Sequence, residues 1–297
     1  MAKHIRIIPR LDIKGPNLVK GIHLEGLRVL GKPENFARYY YENGADELLY
    51  MDVVASLYNR NSLHAIITRT AKKIFIPITV GGGLRTIEDI RQVLRAGADK
   101  VSLNTAAINN PQIIREASRK FGSSTIVIAI EAIKQSDGRY LAYTDNGREY
   151  TGVEVLAWVR KVEEYGAGEI LITSVDREGT GAGFDLELTR LVAEAVSIPV
   201  IACGGAGSPE DVVEVIQRGR ADAVSIASVL HYGFISQTKL GDQSFEEEGN
   251  IEYLKSGRQF SKVKPCDLSE LKFLLQSRGI LSRQKSSVIS EAFNVQS

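Results

Sequence analysis

Short apolar segments alternate with helix-forming segments along the chain, and this alternation limits the fold more than any other feature. The helix-forming stretches include PENFARYYYENG, with Pro33 in its first turn and Gly44 at its end, and TIEDIRQVLRAG, with Thr86 as N-cap and Gly97 as its stop. Alternating strands and helices form parallel sheets, and evenly apolar strands are covered on both faces. The pattern predicts an α/β fold, a closed (β/α)8 TIM barrel. The eight predicted strands are residues 6–12, 47–53, 76–82, 100–105, 125–131, 169–176, 198–205 and 223–228.

An internal repeat indicates two similar half-barrels. VGGGLRTIEDIRQVLRAGADKVSLNTA, from Val80, matches CGGAGSPEDVVEVIQRGRADAVSIASV, from Cys203. We expect one barrel domain over residues 1–283, with an insertion at 233–266 before the last helix. The insertion has the polar composition of a surface loop, and loops of that length are usually functional or mobile. Residues 284–297 are expected to form a polar tail.

Charge and composition exclude several classes of function. Lys plus Arg number 37 and Asp plus Glu 36, so no excess charge points to nucleic acid or an anionic membrane. Cys203 and Cys266 show no disulfide or zinc spacing, and the four histidines are scattered. We therefore expect neither metal nor cofactor. The chain has no long apolar run, which predicts a cytoplasmic protein without a membrane span.

Polar and glycine residues follow the predicted strands, where barrels of this type hold their active sites. Glycine-rich turns open helices in both halves, and each is paired with small polar residues after the next strand. Backbone N–H groups at such turns bind phosphate, so the pairing predicts a substrate with two phosphates. The alternative is that the glycines only form tight strand-to-helix turns. This alternative does not explain why each turn is paired with small polar residues. These strand-end residues are Asp12, Asp52, Gly81, Gly82, Gly83, Asn104, Thr105, Glu131, Asp176, Gly204, Gly205 and Ser228.

Asp12 and Glu131 end the first and fifth strands and should face each other across the barrel mouth. Two carboxylates on opposite sides of an anion-binding cleft can serve as general acid and general base. The alternative is a structural role, as helix caps or in ion pairs with Lys14, Lys20 or Lys134.

Several ordered motifs together resemble one family. IIPRLDIKGPNLVKG, ITVGGGLRTIED, GADKVSLNTAA, GAGEILITSVDREGTGAGFD and IACGGAGSPED are similar to the cyclase subunit of imidazole glycerol phosphate synthase, over about residues 3 to 232 and again in DLSELKFLLQSRGI. The resemblance implies a barrel that receives ammonia from a separate glutaminase subunit. It would convert a ribulose-containing bisphosphate aminoimidazole carboxamide precursor to imidazole glycerol phosphate and an aminoimidazole carboxamide ribonucleotide, in histidine biosynthesis. The glutaminase is expected at the N-terminal face of the barrel, in a heterodimer.

The resemblance also assigns roles to individual residues. Asp12 and Glu131 take the two catalytic positions, and Lys20 matches a substrate-contacting lysine on a mobile loop. One phosphate site matches Gly83, Asn104 and Thr105, and the other matches Gly179, Gly205, Ala227 and Ser228. Asp176, at a strand end, is expected among the substrate-binding residues. An ammonia gate matches Arg6, Glu47, Lys100 and Glu169, which without the resemblance would pass for ordinary charges at strand starts.

Three features depart from the family. Glu131 stands where the family has Asp, which adds one methylene and changes reach more than acidity. Arg10 replaces a usually small residue, and as the second residue before Asp12 on a strand it should share that residue's face. There it either places a positive charge against the carboxylate or binds an anion. The 233–266 insertion has no counterpart in the family. These departures leave open a paralogue that supplies ammonia for a sugar amidination in surface-polysaccharide synthesis. Two further alternatives are a noncatalytic partner that activates a glutaminase and a related sugar isomerase, which the paired acids and phosphate sites would also fit.

Overall fold

The computed structural model describes residues 3–23, 25–55, 63–237 and 262–284, which fold in the predicted alternation. In chain order the elements are β1 (Arg6–Lys14), β2 (Asn17–Ile22), β3 (Glu25–Gly31), α1 (Pro33–Glu42), β4 (Leu48–Asp52), α2 (His64–Ala71), β5 (Ile78–Gly81), α3 (Ile87–Arg95), β6 (Lys100–Leu103), α4 (Thr105–Asn109), α5 (Gln112–Phe121), β7 (Ile126–Lys134), β8 (Tyr140–Thr144), β9 (Glu149–Glu154), α6 (Val155–Glu164), β10 (Glu169–Ser174), α7 (Leu186–Ala195), β11 (Val200–Cys203), α8 (Pro209–Gln217), β12 (Ala223–Ile226), α9 (Ser228–Gln237) and α10 (Leu268–Ser277).

Eight of these strands close into a parallel barrel, which confirms the predicted (β/α)8 fold. Their order is β1, β4, β5, β6, β7, β10, β11 and β12, and β12 pairs with β1 to complete the ring. Every neighbouring pair in the ring is parallel. All eight carboxyl ends therefore meet at one mouth, which is where parallel barrels place their sites.

Alternation along the strands separates two layers of core. The larger layer packs the outward-facing strand residues against the helices. A smaller cluster fills the barrel interior and consists of Ile8, Leu49, Val127, Ala129, Leu171, Ile201, Cys203 and Ala223. On β1 the side chains of Arg6, Ile8, Arg10 and Asp12 share one face by the period of two. One strand thus carries charged groups at both ends of the barrel and an apolar residue between them.

Two hairpins that the sequence analysis did not predict rise from the mouth. β2 and β3 continue from β1 as antiparallel strands, and β8 and β9 continue in the same way from β7. Asp145 and Asn146 turn the second hairpin with φ values of 53° and 62°, and both residue types tolerate this left-handed conformation. Each hairpin prolongs a barrel strand, so its residues do not stand out as a separate apolar segment.

Helix boundaries follow the capping signals. Thr86 and Ser208 each accept a hydrogen bond from the backbone N–H three residues later, and the Asp at that position bonds back to the cap, which forms a capping box at both copies of the repeat. Six of the eight predicted strands were too long, and two of these ran into the following helix. Residues 104–105 and 227–228 leave the sheet, and Thr105 and Ser228 instead begin α4 and α9.

The chain between α9 and α10 is described only in part. The predicted insertion begins within α9, and residues 238–261 lie outside the described residues, as does the predicted tail beyond Gln284. Residues 262–266 return to the barrel, where Lys264 N donates to Gly207 O at 2.7 Å. Among the described helices, none has the length and apolar character needed to cross a bilayer.

Candidate active site

Asp12 lies buried at the mouth, with Arg10 as its nearest partner. Arg10 Nε donates to Asp12 Oδ1 at 2.7 Å, and Arg10 Nη1 donates to Cys203 Sγ at 3.3 Å. Both side chains are about 95% buried. The predicted approach of the Arg10 charge to Asp12 is therefore confirmed. Opposing the cost of burial, Asp12 and other nearby groups hold the pKa of Arg10 well above its ordinary value.

Lys20 reaches the same buried cluster from the first hairpin. Its Nζ lies 3.9 Å from Asp12 Oδ2 and makes its closer contact with Glu178 Oε1. Glu178 lies in the loop that follows β10. This loop contacts the first hairpin, because His23 N donates to Glu178 O at 2.8 Å. Glu178 is buried and was missed by the sequence analysis. Its place between Asp176 and the predicted site residue Gly179 was the signal that could have indicated it.

Glu131 ends the apolar part of β7 on the opposite side of the barrel from β1 and is only partly exposed. Its Oε2 accepts a hydrogen bond from Gly147 N at 2.8 Å, so the tip of the β8–β9 hairpin fixes the carboxylate. Burial raises the pKa of Glu131 from 4.5 to about 7, although the Gly147 N–H, the Arg10 charge and the Asn104 side chain oppose this rise. A carboxyl group with such a pKa can both donate and accept a proton near neutrality.

A cavity of about 410 Å³ opens beside Glu131 in the first half of the barrel. It contains one complete predicted phosphate set, Gly83, Asn104 and Thr105, together with Ser102 and Arg85. Gly82 must be glycine here, because its φ is +96° and a Cβ atom would lie 2.2 Å from Asp52 O. The cavity thus combines a tight glycine turn, small polar side chains and a titratable acid.

The second predicted phosphate set lies together in the other half. Gly179, Gly205, Ala227 and Ser228 line a narrow cleft with Arg10, Lys20 and Glu178. Gly179 and Ser228 also line a cavity of about 320 Å³ that extends under the first hairpin to His23 and Arg28. Asp176 lies apart from these groups. It is exposed, and its Oδ2 accepts a hydrogen bond from Lys134 N at 2.9 Å.

At the other end of the barrel, the four predicted gate residues form one ring of alternating charge. Arg6 donates to Glu47 at 3.0 Å and to Glu169 at 2.9 Å. Lys100 donates to the same two carboxylates, at 2.9 Å each, and Thr79 adds a hydrogen bond to Glu47. Two cations bridging two anions make the ring self-neutralising. The ring lies at the end of the barrel opposite the mouth, below the apolar interior cluster.

Comparisons with known proteins agree on one family. The model of the family described as histidine biosynthesis protein matches residues 6–236. The chain is 59% identical to the imidazole glycerol phosphate synthase subunit HisF of Legionella pneumophila, over 70% of this chain and 98% of that protein. It is 47% identical to the protein of the same name from Alkaliphilus metalliredigens, over 82% of this chain and 96% of that protein.

Proposed function

This chain belongs to the histidine biosynthesis protein family, and we propose that it is the cyclase subunit of imidazole glycerol phosphate synthase, with Asp12 and Glu131 as its catalytic acids. The observation that carries the residue assignment is one arrangement at the mouth. Two buried or partly buried carboxylates stand on opposite strands. Glu131 lines the glycine-containing cavity of the first half, and Asp12 contacts Arg10 and Lys20, which line the glycine-containing cleft of the second half. A bisphosphate substrate spanning the mouth would place its central carbons between the two acids.

The chemistry follows from this placement. Ammonia arriving along the barrel axis attacks the ketone carbon of the ribulosyl chain, and the acids move protons through imine formation, loss of the carboxamide ribonucleotide and ring closure. Glu131 is suited to both directions of transfer because its pKa of about 7 leaves both protonation states populated at neutral pH. In Asp12, Arg10 Nε contacts Oδ1, whereas Oδ2 lies 3.9 Å from Lys20 Nζ, so we assign proton transfer to Oδ2.

We further propose that the ring of Arg6, Glu47, Lys100 and Glu169 admits ammonia from a glutaminase subunit docked on the N-terminal face. The name of the relatives describes them as subunits. On this face Phe75, in the segment before β5, is 81% exposed and packs edge-on to Tyr41 at 6.1 Å between ring centroids. An exposed aromatic residue is typical of an interface anchor. A ring of charged side chains and an exposed aromatic side chain at the same end of the barrel suit a docked partner.

Turnover of the bisphosphate precursor by the purified protein with ammonium at high pH tests this function without a glutaminase. We expect loss of precursor absorbance with wild type and none with Asp12→Asn. Glu131→Asp tests the unusual acid. Lower activity in this variant would show that the site is built around the longer side chain, whereas no activity in wild type and activity in Glu131→Asp would refute the cyclase assignment.

A second candidate keeps the ammonia supply and changes the acceptor, as in amidination of a sugar. The buried ion pair between Arg10 and Asp12 favours it, because this pair occupies one oxygen of a proposed catalytic carboxylate. Glutamine-dependent ammonia release in the complex, without precursor turnover at any pH, is the result that would select this candidate.

A further inference from the structure

Arg10 is the charged group at the mouth that neither phosphate set nor the acid pair explains. It lies inside the barrel, one inward position below Asp12 and one above Ile8. Its guanidinium has partners on two strands, Asp12 Oδ1 on β1 and Cys203 Sγ at the end of β11. Burial of an ion costs several kcal/mol in desolvation, so a buried arginine needs a compensating role. The contacts of its guanidinium indicate what that role is.

We propose that Arg10 is a positioning residue that orients the Asp12 carboxylate for the cyclisation, with Cys203 as its second anchor. The inference rests on the proposed function. Nε holds Oδ1 at 2.7 Å and Nη1 holds Sγ at 3.3 Å, so the planar guanidinium is fixed at two points. A carboxylate gripped through Oδ1 keeps Oδ2 at a set angle, on the side where Lys20 Nζ lies 3.9 Å away.

The same contacts separate this role from substrate binding. Arg10 lines the narrow second cleft, yet its Nε and Nη1 are taken by protein partners. Within the same cluster it is Lys20, in contact with Glu178, that lines the wider cavity under the hairpin. Removing Arg10 should therefore free the Asp12 carboxylate to change its orientation and leave the second predicted phosphate set intact.

The kinetic test compares Arg10→Met, Arg10→Lys and Cys203→Ala with wild type in ammonium-driven cyclisation. A misplacement of about 1 Å at a reacting group costs on the order of 100-fold in rate. We expect kcat of Arg10→Met to fall by about 10- to 100-fold with KM within about threefold of wild type. Arg10→Lys should recover part of this loss and Cys203→Ala should lose less. A rise in KM that accounts for the whole loss in kcat/KM would overturn the proposal.

Lys272→Met is a matched control for the loss of a buried cation. Lys272 Nζ donates to Gly44 O at 2.6 Å and pairs with Asp46 at 3.0 Å near the opposite end of the barrel. This variant should lose stability and retain kcat. An equal fall of kcat in Lys272→Met and Arg10→Met would mean that Arg10 acts only through stability, and the proposal would fail.

A second measurement needs no turnover. If Arg10 holds Asp12, then Arg10→Met strands a buried carboxylate, and Arg10→Met/Asp12→Asn relieves it. We expect the double variant to unfold at a higher urea concentration than Arg10→Met alone. Additive losses would refute the contact. Absence of precursor turnover by wild type would refute only the proposed function. The comparison of the single and double variants by urea unfolding would still decide whether Arg10 holds Asp12.

Discussion

Glu131 should make the stability of the protein fall as pH rises from about 4.5 to about 7. Its pKa is about 7 in the folded protein, against 4.5 as its ordinary value. Because the folded state holds the proton more tightly, stability falls between these two pH values and is level outside them. One pKa unit corresponds to about 1.4 kcal/mol, so ionising this carboxyl group costs the folded state about 3 kcal/mol in total.

Urea denaturation of wild type and Glu131→Gln from pH 4.5 to pH 8 measures the free-energy cost of ionising Glu131 in the folded protein. Glutamine keeps the shape and removes the titration, so other groups cancel in the difference between the two free energies of unfolding. We expect wild type to lose about 3 kcal/mol relative to the variant across this range, with the steepest fall of about 1.4 kcal/mol per pH unit.

Glu163→Gln is a control of opposite sign. The pKa of Glu163 is lowered, chiefly by the hydrogen bond from the Ser197 hydroxyl. Its contribution is therefore present above its unfolded pKa and lost only as pH falls through its lower folded pKa. The difference in free energy of unfolding between Glu163→Gln and wild type should stay level above pH 5.

Two outcomes would refute the burial of Glu131 as described. One is that the free energies of unfolding of wild type and Glu131→Gln run parallel with pH. The other is a difference that grows in favour of wild type as pH rises.

Three further variants test other parts of the barrel. Gly205→Ala should destabilise the protein by about 1 to 3 kcal/mol more than Gly138→Ala in thermal or urea unfolding, because both have positive φ and only Gly205 has backbone within 2.2 Å of a new Cβ. Asn146→Ala removes the 2.7 Å hydrogen bond to Val53 O that anchors the tip of the second hairpin. It should lower kcat and change KM by a smaller factor. Lys100→Met should cost about 1 to 3 kcal/mol of stability and should lower glutamine-driven turnover more than ammonium-driven turnover. Lys100→Arg should retain the stability and both turnover rates. Equal losses in the two turnover assays would contradict the role of this ring as an ammonia gate.

The sequence by itself determined the barrel and which polar and glycine residues lie at or just after the ends of its strands. Strand and helix periods are local, and the repeat from Val80 to Cys203 places glycine turns in matching halves. A parallel barrel brings every strand end to one mouth, so Asp12, Glu131 and the glycines could be assigned to it before any contact was known. Alternation along β1 likewise predicted that Arg10 lies on the face of Asp12.

Only the tertiary structure decided which of these groups meet. Cys203 anchors Arg10 from 193 residues away, and Lys20 contacts Glu178 more closely than Asp12. Contacts between strands depend on barrel stagger and hairpin register, and neither can be derived from separation along the chain. The same dependence explains why the Gly147 N–H on Glu131 was not foreseen. The apolar period locates an acid at a strand end, and the fold around that acid sets its burial and its partners.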